Sequence, residues 1–502
     1  MFDFELFAAT FGAMLGWPGV FYLLSGSVIG MVFGAIPGLS GTTAIVVLIP
    51  MTFGMDPVPA MLWLASAYGA STYGGAIPAI LINTPGEPPN AATIIDGYPM
   101  ARKGQAGIAL AAAATASTLG GVIGLLITFL MIPVLSRVVM AFSYQEFFMM
   151  ALLGLCVIAV VGEGTLLKGL AAGGLGVMLS FVGYDPLTSV LRYTFGIEYL
   201  WDGIAVVPAI FGLLAVAEIT DLLVEQKTIM EPDLEENQDG QVWEGIMVTL
   251  RNLPLVVRSS AVGTFVGAIP GVGGTVAGFM AYMQAKQTCK DNEGFGKGDV
   301  RGVIAPEAAN DAKEGGALLP TLAFGIPGSS AMAVFLGALT LHGVDTGQDI
   351  FVTNLDVVYM LIVALLGSHM VAAVFGLSLA KKVAILTRIR PALYGPAIFV
   401  VCLIGAFALR NSFGDVVVTI LFGILGVELR KFGYSRIALI LGLLLGSMAE
   451  TSFRQSLMTD RGLAGFVTRP ISLALLVLTA VIVFAPYVKT YIQRRRRLVG
   501  EA

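Results

Sequence analysis

The chain has 502 residues, 56% of them hydrophobic and 12% charged, with a net charge of −4 and a mean hydropathy of +0.85. Soluble domains carry roughly a quarter charged residues, so this composition excludes an ordinary soluble protein and calls for one that is largely surrounded by lipid. Cys156, Cys289 and Cys402 are scattered without CxxC spacing, which excludes a disulfide framework or a cysteine metal knot, and only His342 and His369 could serve a histidine-based metal site.

Residues 1–12 hold Asp3 and Glu5 but no basic residue, and they lack the basic segment and cleavage site of a signal peptide. The first apolar run is therefore expected to be a retained helix. Runs long enough to cross a hydrocarbon core, roughly 20 residues each, fall near 13–33, 58–83, 106–134, 145–162, 167–183, 204–224, 355–380, 392–409, 412–429 and 469–487. The expected fold is an all-α polytopic membrane protein of about ten to twelve spans.

The first run stops at a stretch that occurs twice. Gly34-Ala-Ile-Pro37-Gly38-Leu-Ser40-Gly41-Thr42-Thr43 recurs as Gly267-Ala-Ile-Pro270-Gly271-Val-Gly273-Gly274-Thr275, displaced by 233 positions (270 − 37). Proline removes an amide donor and glycine opens dihedrals closed to other residues, so a helix breaks here. Freed backbone at membrane depth survives only when buried in protein or lining a wet cavity. The hydroxyls after the break cap a new helix whose free N–H groups and positive dipole end suit an anion. For one such stretch, tight packing of small residues is the plainer reading. For a duplicated break followed by threonine, a midplane transport site is the stronger one.

A second shared stretch follows each copy. Pro78 to Asn83-Thr84-Pro85-Gly86 pairs with Pro320 to Pro327-Gly328-Ser329-Ser330, displaced by 242 (327 − 85). The first member reads either as a stiff polar loop or as a break inside the protein; its partner, flanked by apolar runs, favours the break. Asn83, Thr84, Ser329 and Ser330 could donate to a carboxylate.

Between the copies, Gly169, Gly173, Gly174 and Gly176 are expected to be packing contacts, and the hydrophilic stretch 225–251 a solvated linker. Two related membrane halves are thus expected, 1–224 and 252–490, followed by a basic tail at 491–502. In the second half, Pro306-Glu307-Ala-Ala-Asn310-Asp311-Ala-Lys313-Glu314 places Glu307, Asn310, Asp311 and Glu314 on one helical face. The plainer reading is an exposed helix end with a lysine ion pair; the other is a cation- or proton-coupling role for Glu307, Asn310 and Asp311.

Basic residues favour cytoplasmic loops. Arg102 and Lys103 follow the second motif in the first half, whereas Lys286, Lys290, Lys297 and Arg301 precede it in the second, and 341–355 has no basic residue. Equivalent loops are expected on opposite sides, as two inverted-topology repeats with re-entrant hairpins at the Pro-Gly motifs require. The Arg494–Arg497 run then places the C-terminus in the cytoplasm.

Gly34 to Gly41, Tyr73 to Pro88, Pro306 to Asp311 and Phe324 to Gly328 together resemble TctA, the large membrane subunit of tripartite tricarboxylate transporters, over nearly the whole chain. The resemblance implies a permease of the bacterial inner membrane, working with a small four-helix membrane subunit and a periplasmic solute-binding protein. It implies uptake of citrate or another di- or tricarboxylate driven by H+ or Na+. No cofactor and no fixed metal are expected, beyond a transient coupling ion. Donors at the four breaks are expected to replace the substrate's water without a fixed basic residue. A stand-alone carboxylate symporter, an anion channel and an intramembrane enzyme are the alternatives, and no Ser/His/Asp spacing supports the enzyme.

Overall fold

The computed structural model describes residues 3–161, 165–185, 187–225, 241–270, 273–347, 349–386, 391–459 and 462–483. In chain order the principal helices are α1 (Phe4–Leu15), α2 (Gly19–Ala35), α3 (Gly41–Leu48), α4 (Pro57–Ile82), α5 (Ile94–Arg102), α6 (Ala106–Met140), α7 (Tyr144–Val161) and α8 (Leu166–Ser180). There follow α9 (Val206–Ile210), α10 (Ala217–Glu225), α11 (Gln241–Arg251), α12 (Leu253–Gly267), α13 (Gly273–Thr288), α14 (Arg301–Phe324), α15 (Ser330–Leu341), α16 (Leu355–Leu386), α17 (Pro391–Arg410), α18 (Phe413–Lys431), α19 (Arg436–Leu457) and α20 (Gly465–Thr468). The fold is all-α and polytopic, with a two-residue hairpin, Gly183–Tyr184 against Leu191–Arg192, among the described residues.

The chain forms two compact units, Met1–Arg137 with Val207–Val427, and Val138–Val206 with Glu428–Ala502. The first unit holds both copies of the duplicated motifs. In it α4 is buried along nearly its whole length against α2 and α16, and α14 against α12 and α13. A helix covered on every side must be small or apolar all round, as α4 is.

The contacts of the two copies match position by position. A methyl group on Gly30 would run into the Ala67 carbonyl, and one on Gly263 into that of Ala309; likewise Gly34 meets Ser71 and Gly267 meets Lys313. Gly74 meets Met31 as Gly316 meets Thr264, and Gly86 meets the Gly34 carbonyl as Gly328 meets that of Gly267. Each pair is related by the two sequence displacements, 233 (263 − 30) and 242 (309 − 67). Glycine is required at these places because helix backbones touch.

Among the described residues four helices, α6, Leu355–Leu379 within α16, Leu393–Arg410 within α17, and α19, are each long and apolar enough to cross a membrane; counting the bent pairs α1–α2 (68°) and Gly462–Thr468 with Pro470–Val483 (77°) gives up to six. The expected ten to twelve counted every apolar run. Several of those runs fold as shorter helices, among them α8 with 15 residues, and α14, with 24, fails on composition because it carries five charged side chains. Of the hydrophilic stretch 225–251, residues 241–251 form α11, which lies on α6: Gln241 Oε1 accepts from the Gly107 amide at 3.0 Å, and Gly245 packs on the Ile108 carbonyl. Residues 226–240 and the basic tail 491–502 lie outside the described residues.

In the second unit, α19 packs on α7 and α8 through small residues. Gly442 lies against the Gly173 carbonyl and Gly176 against that of Leu439, while Gly174 faces open space. Gly173 and Gly176 are thus packing contacts and Gly174 is not. The hairpin is fixed by Asp185, which accepts from the Leu187 and Thr188 amides at 2.9 Å each and pairs with Arg192 at 3.1 Å and Arg454 at 2.6 Å.

Candidate functional site

Each expected break is a break in the structure. After α2, Gly38 takes a left-handed φ of 88°, and Ser40 caps α3 by accepting from the Thr43 amide at 3.4 Å. After α4, Asn83 adopts φ 55° as the helix cap, where α14 has Gly325 at φ 65°. After α12 the chain turns at half-buried Pro270 and re-enters helix at Gly273, φ 72°; Gly271 lies outside the described residues. After α14, the Gly328 amide donates to Thr321 Oγ1 at 3.4 Å, and Ser329 caps α15 by accepting from the Met332 amide at 3.3 Å.

The elements that follow the breaks meet reciprocally. Helix α15, after the second break of the second copy, packs on α3, after the first break of the first copy. The 3-10 turn Pro88–Ala91, after the second break of the first copy, packs on α13, with Pro89 against Gly274. Gly41, Thr43, Gly86, Gly274, Pro327 and Gly328 are buried in this region; Pro37, Gly38, Ser40, Thr42, Thr84, Pro85, Pro270, Gly273, Thr275, Ser329 and Ser330 are half-buried. Asn83 is exposed. One amide at the start of α3 already holds a carboxylate, since Gly41 N–H donates to Glu87 Oε1 at 2.6 Å.

The charged run of α14 is not an exposed helix end. Glu307, Asn310, Asp311, Lys313 and Glu314 are all buried, at 4% exposure or less. Helix α14 is packed by α12, α13 and α4, so the face that periodicity assigns to solvent points into protein instead. Glu307 accepts from Asn90 Nδ2 at 3.2 Å, from Ser117 Oγ at 3.0 Å and from Thr93 Oγ1. Neutral donors thus satisfy it, and it stands apart from Asp311 and Glu314, whose oxygens have no hydrogen bond of good geometry.

Lys313 corrects the expectation of a site without a basic residue. Its Nζ donates to the Tyr68 hydroxyl at 3.1 Å, lies 5.4 Å from the Tyr68 ring centroid, and is 3.8 Å from Glu314 Oε1. Its stem passes Gly274 so closely that a methyl there would collide with Cε, while Tyr68 itself borders Gly41. A single ammonium group therefore sits between the first breaks of both copies. It is held there because desolvated cations need an anionic or π partner.

Tyr68, Glu87 and Lys313 join the site beyond the residues assigned from sequence, while Glu314, already on the polar face of α14, and His369 lie beside it rather than at the breaks. Aligning α4 with α14 by the displacement of 242 sets Gly69, Ser71 and Thr72 opposite Asp311, Lys313 and Glu314. That replacement of small neutral residues by charged ones was a usable signal. Nothing in sequence pointed to His369, one histidine in the apolar run of α16. Among the described residues no three His, Cys, Asp or Glu side chains converge to hold a metal ion.

Residues 20–441 match the tripartite tricarboxylate transporter TctA family. The chain is 34% identical over 452 residues, 90% of its length and 89% of the relative's, to the "uncharacterized 52.8 kDa protein in TAR-I ttuC' 3'region" of Agrobacterium vitis. It is 31% identical over 240 residues, 48% of its length and 99% of the relative's, to the "uncharacterized protein in TAR-II ttuC' 3'region" of the same organism. No solved structure matches the chain. The apolar helices, the paired breaks and this match over most of the length together identify a multi-pass membrane component of tripartite tricarboxylate transporters: the chain belongs to the TctA family.

Proposed function

We propose that the chain is the permease of a three-component system that takes up a di- or tricarboxylate such as citrate, driven by an H+ or Na+ gradient. A periplasmic binding protein delivers the substrate and a small four-helix membrane subunit completes the complex in the inner membrane. The copies run as inverted repeats, with the C-terminus in the cytoplasm. One observation supports the reading: the elements after the four Pro-Gly breaks pack in two reciprocal pairs, α3 with α15 and the turn Pro88–Ala91 with α13, and Glu87 on the Gly41 amide and Lys313, between Tyr68 and Gly274, lie among them. A polyanion entering there exchanges hydration for amides, hydroxyls and one ammonium.

The substrate contacts assigned are the amides and hydroxyls at Gly38, Ser40 to Thr43, Thr84, Gly86, Gly273 to Thr275 and Gly328 to Ser330, with Asn83 at the exposed rim. The test is reconstitution with both partner subunits and uptake of a carboxylate panel under Na+ or pH gradients. Thr42→Val and Thr275→Val should each weaken uptake strongly while the protein still inserts; full uptake in both discards the site. In a background lacking the native cysteines, Arg102→Cys and Lys290→Cys should label from the cytoplasm and Asp345→Cys from outside. A shared side for 102 and 345 discards the inverted arrangement.

A further inference from the structure

One buried cluster is not used by the carboxylate contacts above. His369, on α16, is 2% exposed, with Nδ1 3.4 Å from Asp311 Oδ2 and Nε2 3.4 Å from Glu314 Oε2. Both ring nitrogens and all four carboxylate oxygens are sealed from solvent without a hydrogen bond of good geometry; the groups nearest them are the Thr72 and Ser117 hydroxyls at Asp311, Lys313 at Glu314 and the Gly69 backbone at His369. The space for the ring is built: a methyl on Gly121 of α6 would collide with the imidazole, and one on Gly69 of α4 with Ser368 beside it. Gly69 occupies the position in α4 that corresponds to Asp311 in α14, displaced by 242 (311 − 69). The acidic pair and the histidine thus face one another across a gap that the other copy leaves empty of charge.

Counting protons decides what this arrangement can hold. A carboxylate only accepts hydrogen bonds, and a neutral imidazole carries one N–H and one lone pair. Two imidazole–carboxylate contacts need two protons, and the neutral ring supplies one. Without a second, a lone pair faces a carboxylate in a medium of low polarity, and two buried negative charges are opposed by Lys313 alone. Sodium fits less well, because the two ring nitrogens stand where a hard cation needs oxygens.

We propose that Asp311, His369 and Glu314 bind one exchangeable proton, and that this proton is the ion cotransported with the carboxylate. The second clause rests on the permease reading above. Among the described residues, the other buried ionisable groups on the elements packed about this cluster are Lys313 and Glu307 on α14, Tyr68 and Tyr73 on α4, and Glu87 in the loop after α4. Helix α6 contributes only hydroxyls, Ser117 and Thr118; α2 contributes Tyr22; and Asp3, before α1, lies at the Tyr359 end of α16. Lys313 links the two sites. A substrate carboxylate that takes Lys313 leaves the Glu314 charge uncompensated, which favours proton binding at the cluster. The proton arrives from one side as N–H or O–H and leaves to the other when the substrate departs.

The chain has two histidines, so His342→Gln leaves His369 as the only source of an imidazole 15N NMR signal in nanodiscs. Its resonances should move within the pH range over which the protein stays folded, and Asp311→Asn and Glu314→Gln should each displace or remove that change. Invariant resonances over this range overturn the proton site, whatever the transport result. In proteoliposomes with both partner subunits, a one-unit pH gradient should drive about tenfold accumulation per proton, and a Na+ gradient should drive none. His369→Gln and Glu314→Gln should lose this accumulation yet retain carboxylate counterflow, which needs no net proton movement. Accumulation by both variants, or by Na+ alone in the parent protein, overturns the coupling role. Absence of counterflow with every carboxylate in the parent protein would instead remove the permease reading, and the NMR titration would still decide the proton site.

Discussion

The Lys313 ammonium lies 3.1 Å from the Tyr68 hydroxyl, so residues from the two duplicated segments, 245 positions apart, share one buried polar contact. Removing one partner of a buried charge cluster costs about 3–5 kcal/mol. Lys313→Met should therefore leave Glu314 and Asp311 uncompensated and lower thermal stability in detergent. It should also lower uptake at limiting substrate by about a hundredfold, since a desolvated hydrogen bond to a charged group is worth up to about 3 kcal/mol. Lys313→Met with Glu314→Gln restores charge balance, so stability should recover while carboxylate counterflow, which Glu314→Gln alone retains, stays low. Recovery of counterflow in the double variant would show that Lys313 only balances Glu314.

The glycines where helix backbones touch make a separate prediction about stability. Gly34→Ala and Gly267→Ala each force a methyl into a carbonyl of the neighbouring helix, at Ser71 and Lys313 respectively. Overpacking of this kind costs about 1–3 kcal/mol, and both should lower the melting temperature in detergent by similar amounts. Gly174→Ala, whose methyl meets nothing within 4 Å, should be neutral or slightly stabilising. A large loss at Gly174, or none at Gly34 and Gly267, would contradict the close helix contacts.

What sequence showed of this site follows from which features act locally. Proline and glycine break a helix whatever surrounds it, so the four breaks and the caps at Ser40 and Ser329 were legible from residue type and spacing. Burial of Asp311 and Glu314 was not, because a polar face at helical spacing looks the same whether it meets solvent or three other helices. His369 approaches from α16, 55 positions beyond Glu314 (369 − 314), and only tertiary packing brings it there. Apolar runs do not map one to one onto long helices, for a related reason. An apolar run reports burial, and half-helices such as the 12-residue α15 are buried in protein without crossing lipid alone.

Asp185, in the loop after α8, makes a prediction about acid stability. Amides of Thr188 and Leu187 and the Arg454 guanidinium hold its carboxyl well below the ordinary aspartate value of 3.8. A depressed folded-state value means that the ionised group stabilises the fold above that ordinary value and that the benefit is lost as pH falls through the folded one. Asp185→Asn should therefore melt below the parent protein at neutral pH, with a constant gap down to about pH 4 and a narrowing one in stronger acid. A gap that widens on acidification would mean that Asp185 is not the group responsible.

Glu87 is the last test, because it occupies an amide that the substrate also needs. Its carboxylate accepts from Gly41 N–H at 2.6 Å and is 5% exposed. The corresponding position in the second copy is Ser329 (329 − 87 is the same displacement of 242), a neutral cap on α15. A charged acceptor roughly doubles a hydrogen bond whose neutral form contributes about 1 kcal/mol. Glu87→Gln should therefore loosen the grip on Gly41 by about 1 kcal/mol, equivalent to about fivefold in competition for that amide. The expected outcome is a KM for the carboxylate lowered by up to that factor, with a lower maximal rate because the substrate is released less readily. A raised KM would mean that Glu87 shapes the site rather than competing for it, and an unchanged KM would place the substrate away from the first break of the first copy.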